Sequence, residues 1–210
     1  PVVDLVPERG EDVEVEVGTI VVATGREAFD PIGMEQFGYG RYVNVITAME
    51  FERLASSGGP TGGAIVGFSD DRAPKSIAFI QCVGSRCEKP GNPYCGNICC
   101  MNTIKDALVL KDHWPDIDVK VFYIDLRAFG KGFEEMLKRS RQLGVRYIRG
   151  VPREIEEIAD TGNLVLHVEN TESGRLEKHE AEMVVLATGV QTRAEARDLQ
   201  HLLSLQLHPE

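Results

Sequence analysis

Residues 183 to 189, MVVLATG, form an unbroken apolar run that ends in Ala187-Thr188-Gly189. A continuous run, rather than an alternating one, is what a strand covered on both faces requires, as in a parallel sheet between other layers. The small residues at its end let a bound group approach the backbone closely. The same ending occurs at residues 20 to 25, IVVATG, where Val13, Val15 and Val17 first alternate with Glu14 and Glu16. That segment predicts a half-exposed strand from residue 13 that becomes a central one at Ile20. Thr24, Gly25, Thr188 and Gly189 are thus the candidate cofactor-binding residues.

Between the two endings the pattern alternates strand and helix. Residues 26–41 read as an irregular connection, and VITAMEFERLA (45–55) has helical spacing in Ile46, Met49 and Leu54, with Thr47 or Asn44 as its cap. SSGGPTGG (56–63) and the polar stretch 69–74 mark a boundary. Then SIAFIQC (76–82) predicts a buried strand, MNTIKDALVLKDHW (101–114) an amphipathic helix closed by Pro115 with Trp114 packed at its end, and VKVFYI (119–124) a second strand. KGFEEMLKRSRQL (131–143) predicts a helix with Phe133, Met136, Leu137 and Ser140 on one stripe and Gly144 as its stop, and VRYIRG (145–150) a third strand. Strand–helix–strand–helix–strand builds a parallel α/β unit. REIEEI (153–158), LVLHVEN (164–170) and LEKHEAE (176–182), joined by turns rich in Asp, Gly and Asn, predict a three-stranded antiparallel meander that runs into MVVLATG. The expected segments are 1–70, a partial cofactor domain with its connection; 71–182, an inserted α/β unit; and 183–210, a return strand and tail.

The balance of 23 basic and 33 acidic residues, net −10, argues against nucleic acid or an anionic membrane as partner, because both would repel the chain. No apolar run approaches the ~20 residues of a membrane span. The first residues carry no basic-then-apolar leader, so a cytoplasmic location is expected. The chain starts at Pro1 and reaches a buried-strand pattern ending in glycine within about twenty residues, which reads as a piece of a longer protein.

A nicotinamide-binding α/β unit shows G-x-G-x-x-G after its first strand, to cradle a pyrophosphate. Here that turn reads QCVGSRC and continues into cysteines, so the cradle is absent. Asp125, at the end of the second strand, stands where an acid often meets a ribose, but without the glycine loop that role loses its warrant. Arg127 and Lys131, in the turn that follows, read as a solvated loop or a contact to cofactor or partner.

All five cysteines lie in CVGSRCEKPGNPYCGNICC (82–100), spaced Cys82-x4-Cys87-x7-Cys95-x3-Cys99-Cys100. A disulfide framework would close only small loops inside the cluster. Zinc sites usually join two short C-x2-4-C knuckles, and only Cys95 and Cys99 could supply one; a redox dithiol would have to use the strained adjacent pair Cys99-Cys100. Four thiolates suit an iron–sulfur cluster, which tolerates irregular spacing. Cys82 at a strand end, Cys95 in the loop and Cys99-Cys100 at a helix start are the candidate ligands, with the helix amides aimed at the site. Cys87, in the charged stretch RCEKPGN, reads as an exposed tip and the non-ligand. Zinc and redox thiols remain open on spacing alone.

The paired Ala-Thr-Gly strands flanking an inserted α/β unit with a meander resemble the two-dinucleotide-binding-domain flavoproteins of the thioredoxin reductase type. CVGSRCEKPGNPYCGNICCMNTIKDAL, with FYIDLRAFGKGFEE and VRYIRG, resembles the iron–sulfur flavoprotein of heterodisulfide reductase, its A subunit, including its relatives in sulfate reducers, over nearly all of residues 13 to 190. The resemblance implies a [4Fe–4S] cluster on Cys82, Cys95, Cys99 and Cys100, in the place of a nicotinamide site. It implies FAD as a second cofactor, with the adenylate half of its site in sequence outside this chain. The implied activity is reduction of the CoB–CoM heterodisulfide or a related flavin-based electron transfer or bifurcation. The implied partners are other heterodisulfide reductase-type subunits and an electron-donating hydrogenase, dehydrogenase or ferredoxin. Lys105, on the helix after the cysteines, is the candidate cation beside the flavin, and Glu52 the carboxylate that pairs with it or relays a proton. The isolated fragment would be inactive. Rival readings are a zinc- or cluster-stabilised interaction module, a subunit of a quinone-interacting membrane-bound oxidoreductase complex, and a pyridine-nucleotide oxidoreductase domain, against which the missing glycine loop speaks.

Overall fold

A computed structural model describes residues 14–69, 72–88 and 90–206. The chain divides into a larger unit, Arg26–Thr192, and a smaller one formed by the residues before and after it. In the smaller unit residues 14–25 form no strand and are exposed, Val21 at 83%. This corrects the strand expected at 13–23, of which Val13 lies outside the described residues. An apolar run becomes a central strand only when neighbours pair with both of its edges, and among the described residues no pairing forms there.

The larger unit begins with β1 (Arg26–Ala28), then β2 (Val45–Thr47), α1 (Ala48–Ala55), β3 (Ser76–Val83), α2 (Cys99–His113), β4 (Asp118–Tyr123), α3 (Phe133–Gln142) and β5 (Arg146–Arg149). It continues with β6 (Glu154–Glu157), β7 (Leu164–Asn170), β8 (Arg175–Ala181), β9 (Met183–Thr188) and β10 (Val190–Thr192); α4 (Ala196–Leu202) belongs to the smaller unit. A five-stranded sheet of order β2-β9-β3-β4-β5 is parallel throughout. β9, the MVVLATG strand, lies inside it with every residue buried. Ile77 and Phe79 of β3 point into one core with Phe51 and Leu54 of α1 and Ala107 and Leu110 of α2. Ala78 and Ile80 point into a second core with Ile155, Leu164 and Leu166 of the antiparallel β6-β7-β8 sheet. Helices therefore cover one face and the meander the other, which is why β3 and β9 lack alternation.

Residues 45–47 are the main correction within this unit. They form β2, pairing Val45, Ile46 and Thr47 with Val184, Val185 and Leu186, and the helix starts only at Ala48. All three are β-branched and a neighbouring strand holds them in the sheet, so pairing overrides the helical spacing. The buried stripe of α1 is consequently Ala48, Phe51 and Leu54, with Met49 65% exposed. Thr47 then closes a capping box: its hydroxyl accepts from the Glu50 amide while the Glu50 carboxylate accepts from the Thr47 amide at 2.7 Å. Thr47→Ala is expected to lower stability by about 1 kcal/mol in chemical denaturation. An unchanged midpoint would show that the box contributes nothing beyond the packing of Phe51.

α3 packs against α2, but only Ser140 of its expected stripe is buried, its hydroxyl 2.7 Å from that of Tyr147. Trp114 ends α2 with its amide on the Leu110 carbonyl and packs against the first core, as expected. Among the described residues no helix is long and apolar enough to cross a membrane.

Candidate functional site

The cysteines gather where β3, β4 and β9 end, at the carboxyl edge of the parallel sheet, where open α/β sheets bind ligands. β3 pairs with β9 in register to Ile80 and then shifts before Val83. At that irregularity Cys82 takes φ 62, a left-handed conformation uncommon for a residue with a side chain. A bulge of this kind re-aims a side chain. The loop beyond folds back on itself: Arg86 N–H donates to Tyr94 O, Cys87 N–H to Asn92 O, and Asn92 N–H to Gly84 O. It sits tightly against the end of β9, because a Cβ on Gly189 would lie 2.1 Å from the Ser85 hydroxyl and one on Gly96 would meet Val190.

Cys99 and Cys100 open α2, whose N-terminus has no side-chain cap, so its free amides stay available. Both are buried, and Cys82 and Cys95 are half-buried. The Cys99 thiol donates to Thr188 O at 3.3 Å, the Cys100 thiol to Asp125 O at 3.8 Å, and the Asn97 amide donates to the Cys95 sulfur at 3.4 Å. Burial pushes the Cys82 thiol up to about 12, and the charges of Cys100, Cys99 and Cys95 add to it against the pull of Arg86. Burial, Cys100 and Cys95 likewise push Cys99 up to about 11. Cys100 is raised too, by burial first and then by Cys95 and Asp125, against the backbone amide and the charge of Arg127.

These are the four cysteines singled out by their places at a strand end, in the loop and at a helix start, and each lies within electrostatic reach of the others. Cys87 stands apart, with its thiol on Pro90 O at 3.2 Å and its body packed against the second core. It is half-buried there, not the exposed tip expected.

The donor set suits a cluster. All five cysteines are free thiols. Among the described residues no three His, Cys, Asp or Glu side chains close on a single metal-ion position. The polar atoms of Gln81, Ser85 and Thr103 are buried without hydrogen-bond partners. They belong to the residue before Cys82, the loop after it, and the turn of α2 after Cys99. Buried polar groups are nearly always paired, so orphans concentrated beside the thiols mark a place where a further group belongs.

Lys105 lies one and a half turns past Cys99, and its ammonium bonds the Glu52 carboxylate of α1, as the sequence reading expects. A third member escaped that reading: Asp106, 2% exposed, with a carboxylate oxygen 2.9 Å from the same ammonium and the other accepting from Asn102 at 3.3 Å. Its signal was the spacing Cys99, Thr103, Asp106, Leu110, a single buried stripe with an acid in it. Burial outweighs the Lys105 charge and pushes the Asp106 carboxyl up to about 7. Lys105 is itself raised: burial opposes this, but its bonds to Glu52 and Asp106 prevail.

A folded-state pKa above the unfolded 3.8 means that protonation of Asp106 favours the fold, an advantage lost as pH rises through 7. Lys105 and Glu52 are the charged groups facing it. Asp106→Asn should therefore gain about 1–2 kcal/mol on wild type between pH 5.5 and 8. Parallel stability–pH curves for the two proteins would contradict the assignment.

Thr188 is buried at the end of β9, with its carbonyl taken by Cys99; Gly189 follows it, its carbonyl accepting from Phe29 N–H. Thr24 and Gly25 are exposed in the smaller unit. Gly25 has φ 80 and nothing within 4 Å of a notional Cβ, so backbone conformation rather than crowding favours glycine there. Asp125 is not free to meet a ribose, because Arg86 donates to its carboxylate at 2.5 Å and Arg127 lies 3.7 Å away.

No family model matches the chain. Curated sequences do. It is 47% identical over 204 residues to an iron–sulfur A subunit, the second form, of the CoB–CoM heterodisulfide reductase of Methanopyrus kandleri, covering 97% of this chain and 31% of that one. It is 48% identical over 184 residues to the A subunit of the H2:CoB-CoM heterodisulfide,ferredoxin reductase of Methanothermobacter thermautotrophicus, covering 87% and 28%. With the A subunit of the ferredoxin/F420H2-dependent CoB-CoM heterodisulfide reductase of Methanosarcina acetivorans it shares 40% over 203 residues, covering 97% and 26%. The chain thus spans less than a third of the length of these relatives. Among solved structures, L-lysine 6-monooxygenase from Pseudomonas syringae matches with a TM-score of 0.53 at 14% identity, covering 85% of this chain and 48% of that one. That likeness concerns the fold, the two-dinucleotide-binding-domain architecture expected from the paired strand ends.

Proposed function

We propose, for a chain homologous over nearly its whole length to a segment of the heterodisulfide reductase A subunit, that it is the electron-transferring segment of such a protein. In this reading Cys82, Cys95, Cys99 and Cys100 hold a [4Fe–4S] cluster. Thr188 and Gly189, and in the smaller unit Thr24 and Gly25, are contacts for FAD. The observation that carries the reading is geometric: buried Cys99 and Cys100 open α2 at an uncapped N-terminus, and half-buried Cys82 and Cys95 lie in the strand end and loop that lead to it. When bound, the flavin would supply two-electron chemistry and the cluster one-electron chemistry.

The chain's own residues do the rest. The free amides of α2 and the Asn97 amide stabilise negative charge on the four thiolates. Gly189 and Gly96 let the loop close on β9, which keeps water from Cys99 and Cys100. Lys105 is the cation nearest the site on α2, balanced by Glu52 and by Asp106, whose carboxyl oxygens can hold one proton near neutral pH. With that proton the three side chains are neutral together; without it they carry one negative charge. They thus offer a cation to a reduced, anionic neighbour and a proton to accompany it.

The names of the relatives support reduction of the CoB–CoM heterodisulfide, or a related flavin-based electron transfer, as the activity of the whole protein. They also support a complex with other such subunits and an electron donor of the hydrogenase, dehydrogenase or ferredoxin class. The division at 70/71 and 182/183 into flavin-domain and inserted segments, a cytoplasmic location, and inactivity of the segment by itself belong to the same reading.

An anaerobic reductive titration of the reconstituted chain tests it. A broad visible absorption that bleaches on reduction and returns on reoxidation is the expected result. A metal-loaded protein with no redox step would instead make the site a zinc-stabilised interaction module, since zinc has no redox chemistry.

A further inference from the structure

The geometry points to Arg86 as the residue that sets the reduction potential of the four-cysteine site, with Asp125 holding its guanidinium in place. This inference rests on the cluster reading and deepens it. Arg86 is a charge-setting and positioning residue that acts through Cys82 rather than as a ligand.

Arg86 occupies φ 60, left-handed backbone that a side-chain-bearing residue seldom takes. Its amide is pinned on Tyr94 O at 3.0 Å. Such conformations persist where the surroundings impose them and cluster at functional sites. Its long cationic side chain lies largely inward, with only 24% of it exposed. Its guanidinium donates to the Asp125 carboxylate at 2.5 Å. Asp125 belongs to the segment just past β4 whose backbone carbonyl accepts from the Cys100 thiol. Arg86 follows Cys82 by four residues in the same loop, and its charge lowers the Cys82 thiol against the effect of burial. The cation is therefore carried by the loop that leaves one proposed ligand and held against the segment that touches another. Arg127, the second cation near Asp125, is 42% exposed and 3.7 Å away, and solvent screens it more.

A fixed positive charge beside a thiolate ligand stabilises the reduced state, which carries one more negative charge, over the oxidised one. Asp125 offsets part of that charge while fixing where it acts. The two residues should thus move the potential in opposite directions when neutralised.

The test is reconstitution of the wild type and of Arg86→Gln, Arg86→Lys and Asp125→Asn, with iron and sulfide analysis followed by potentiometric titration. With iron content held, Arg86→Gln should make reduction at least tenfold less favourable, about 59 mV for a one-electron couple. Arg86→Lys should remain near wild type, and Asp125→Asn should shift upward. An unchanged midpoint in Arg86→Gln, or a shift of both neutralising variants in one direction, overturns the inference while leaving the cluster reading intact. If Arg86→Gln fails to fold, Arg86→Met takes its place: a fall in the potential supports the role, and an unchanged midpoint overturns it. A wild type that binds no iron removes the cluster reading, and this inference with it.

Discussion

Replacing Cys99 with alanine should abolish iron and sulfide binding, whereas replacing Cys87 should leave both at the wild-type level. The two cysteines lie in one loop-and-helix segment, so a general disturbance of folding would not separate them. Their surroundings do. Cys99 is 9% exposed at the first position of α2, bonded to the end of β9, and coupled to Cys100 and Cys95. Cys87 bonds only its own loop and packs against the second core. Removing one of four thiolates leaves one iron of a cubane without a protein ligand, so the site no longer holds the cluster. Visible absorption and metal content after anaerobic reconstitution give the readout, with thermal unfolding as the control. Equal cluster content in the two variants would remove Cys99 from the ligand set.

The second large effect is expected at Lys105. In the flavin-loaded protein, Lys105→Met should slow flavin reduction on the order of 10²-fold, the usual consequence of deleting a preorganised charge beside developing negative charge. Lys105→Arg should keep most of the rate. Glu52→Gln should have the smaller effect, because Asp106 still holds the ammonium from its other side. Anaerobic stopped-flow at the flavin absorption maximum measures all three. If Lys105→Met reduces as fast as wild type, the ammonium serves only to tie α1 to α2. The two carboxylates that Lys105→Met leaves behind would also repel each other, so a change in the pH dependence of its stability is a useful companion signal.

Much of this architecture is readable from the chain because its physical causes are local. The unbroken apolar runs of β3 and β9 follow from cover on both faces, and the alternation of β7 from cover on one. The strand-to-helix turn that carries Cys82, Cys95, Cys99 and Cys100 needs only the order of elements around it. What is not readable depends on neighbours distant in sequence. Val45-Ile46-Thr47 is a strand only because β9, nearly 140 residues later, pairs with it. IVVATG has the composition of β9 but no such partner among the described residues, and it lies exposed.

The site divides in the same way. Lys105 and Glu52 could be matched by charge and by their places on two helices. Asp106 is a functional candidate only because the fold buries it, and Arg86 only because the fold pairs it with Asp125. Asp125 itself was legible as the acid at the end of the second strand. Its role changed because the loop that replaces the glycine fingerprint supplies an arginine to meet it.

The most direct measurement is iron and acid-labile sulfide per chain after anaerobic reconstitution of the wild-type protein. About four of each, with broad visible absorption that bleaches on reduction, is the result expected for a cubane on Cys82, Cys95, Cys99 and Cys100. One zinc without sulfide, or no metal at all, would contradict it.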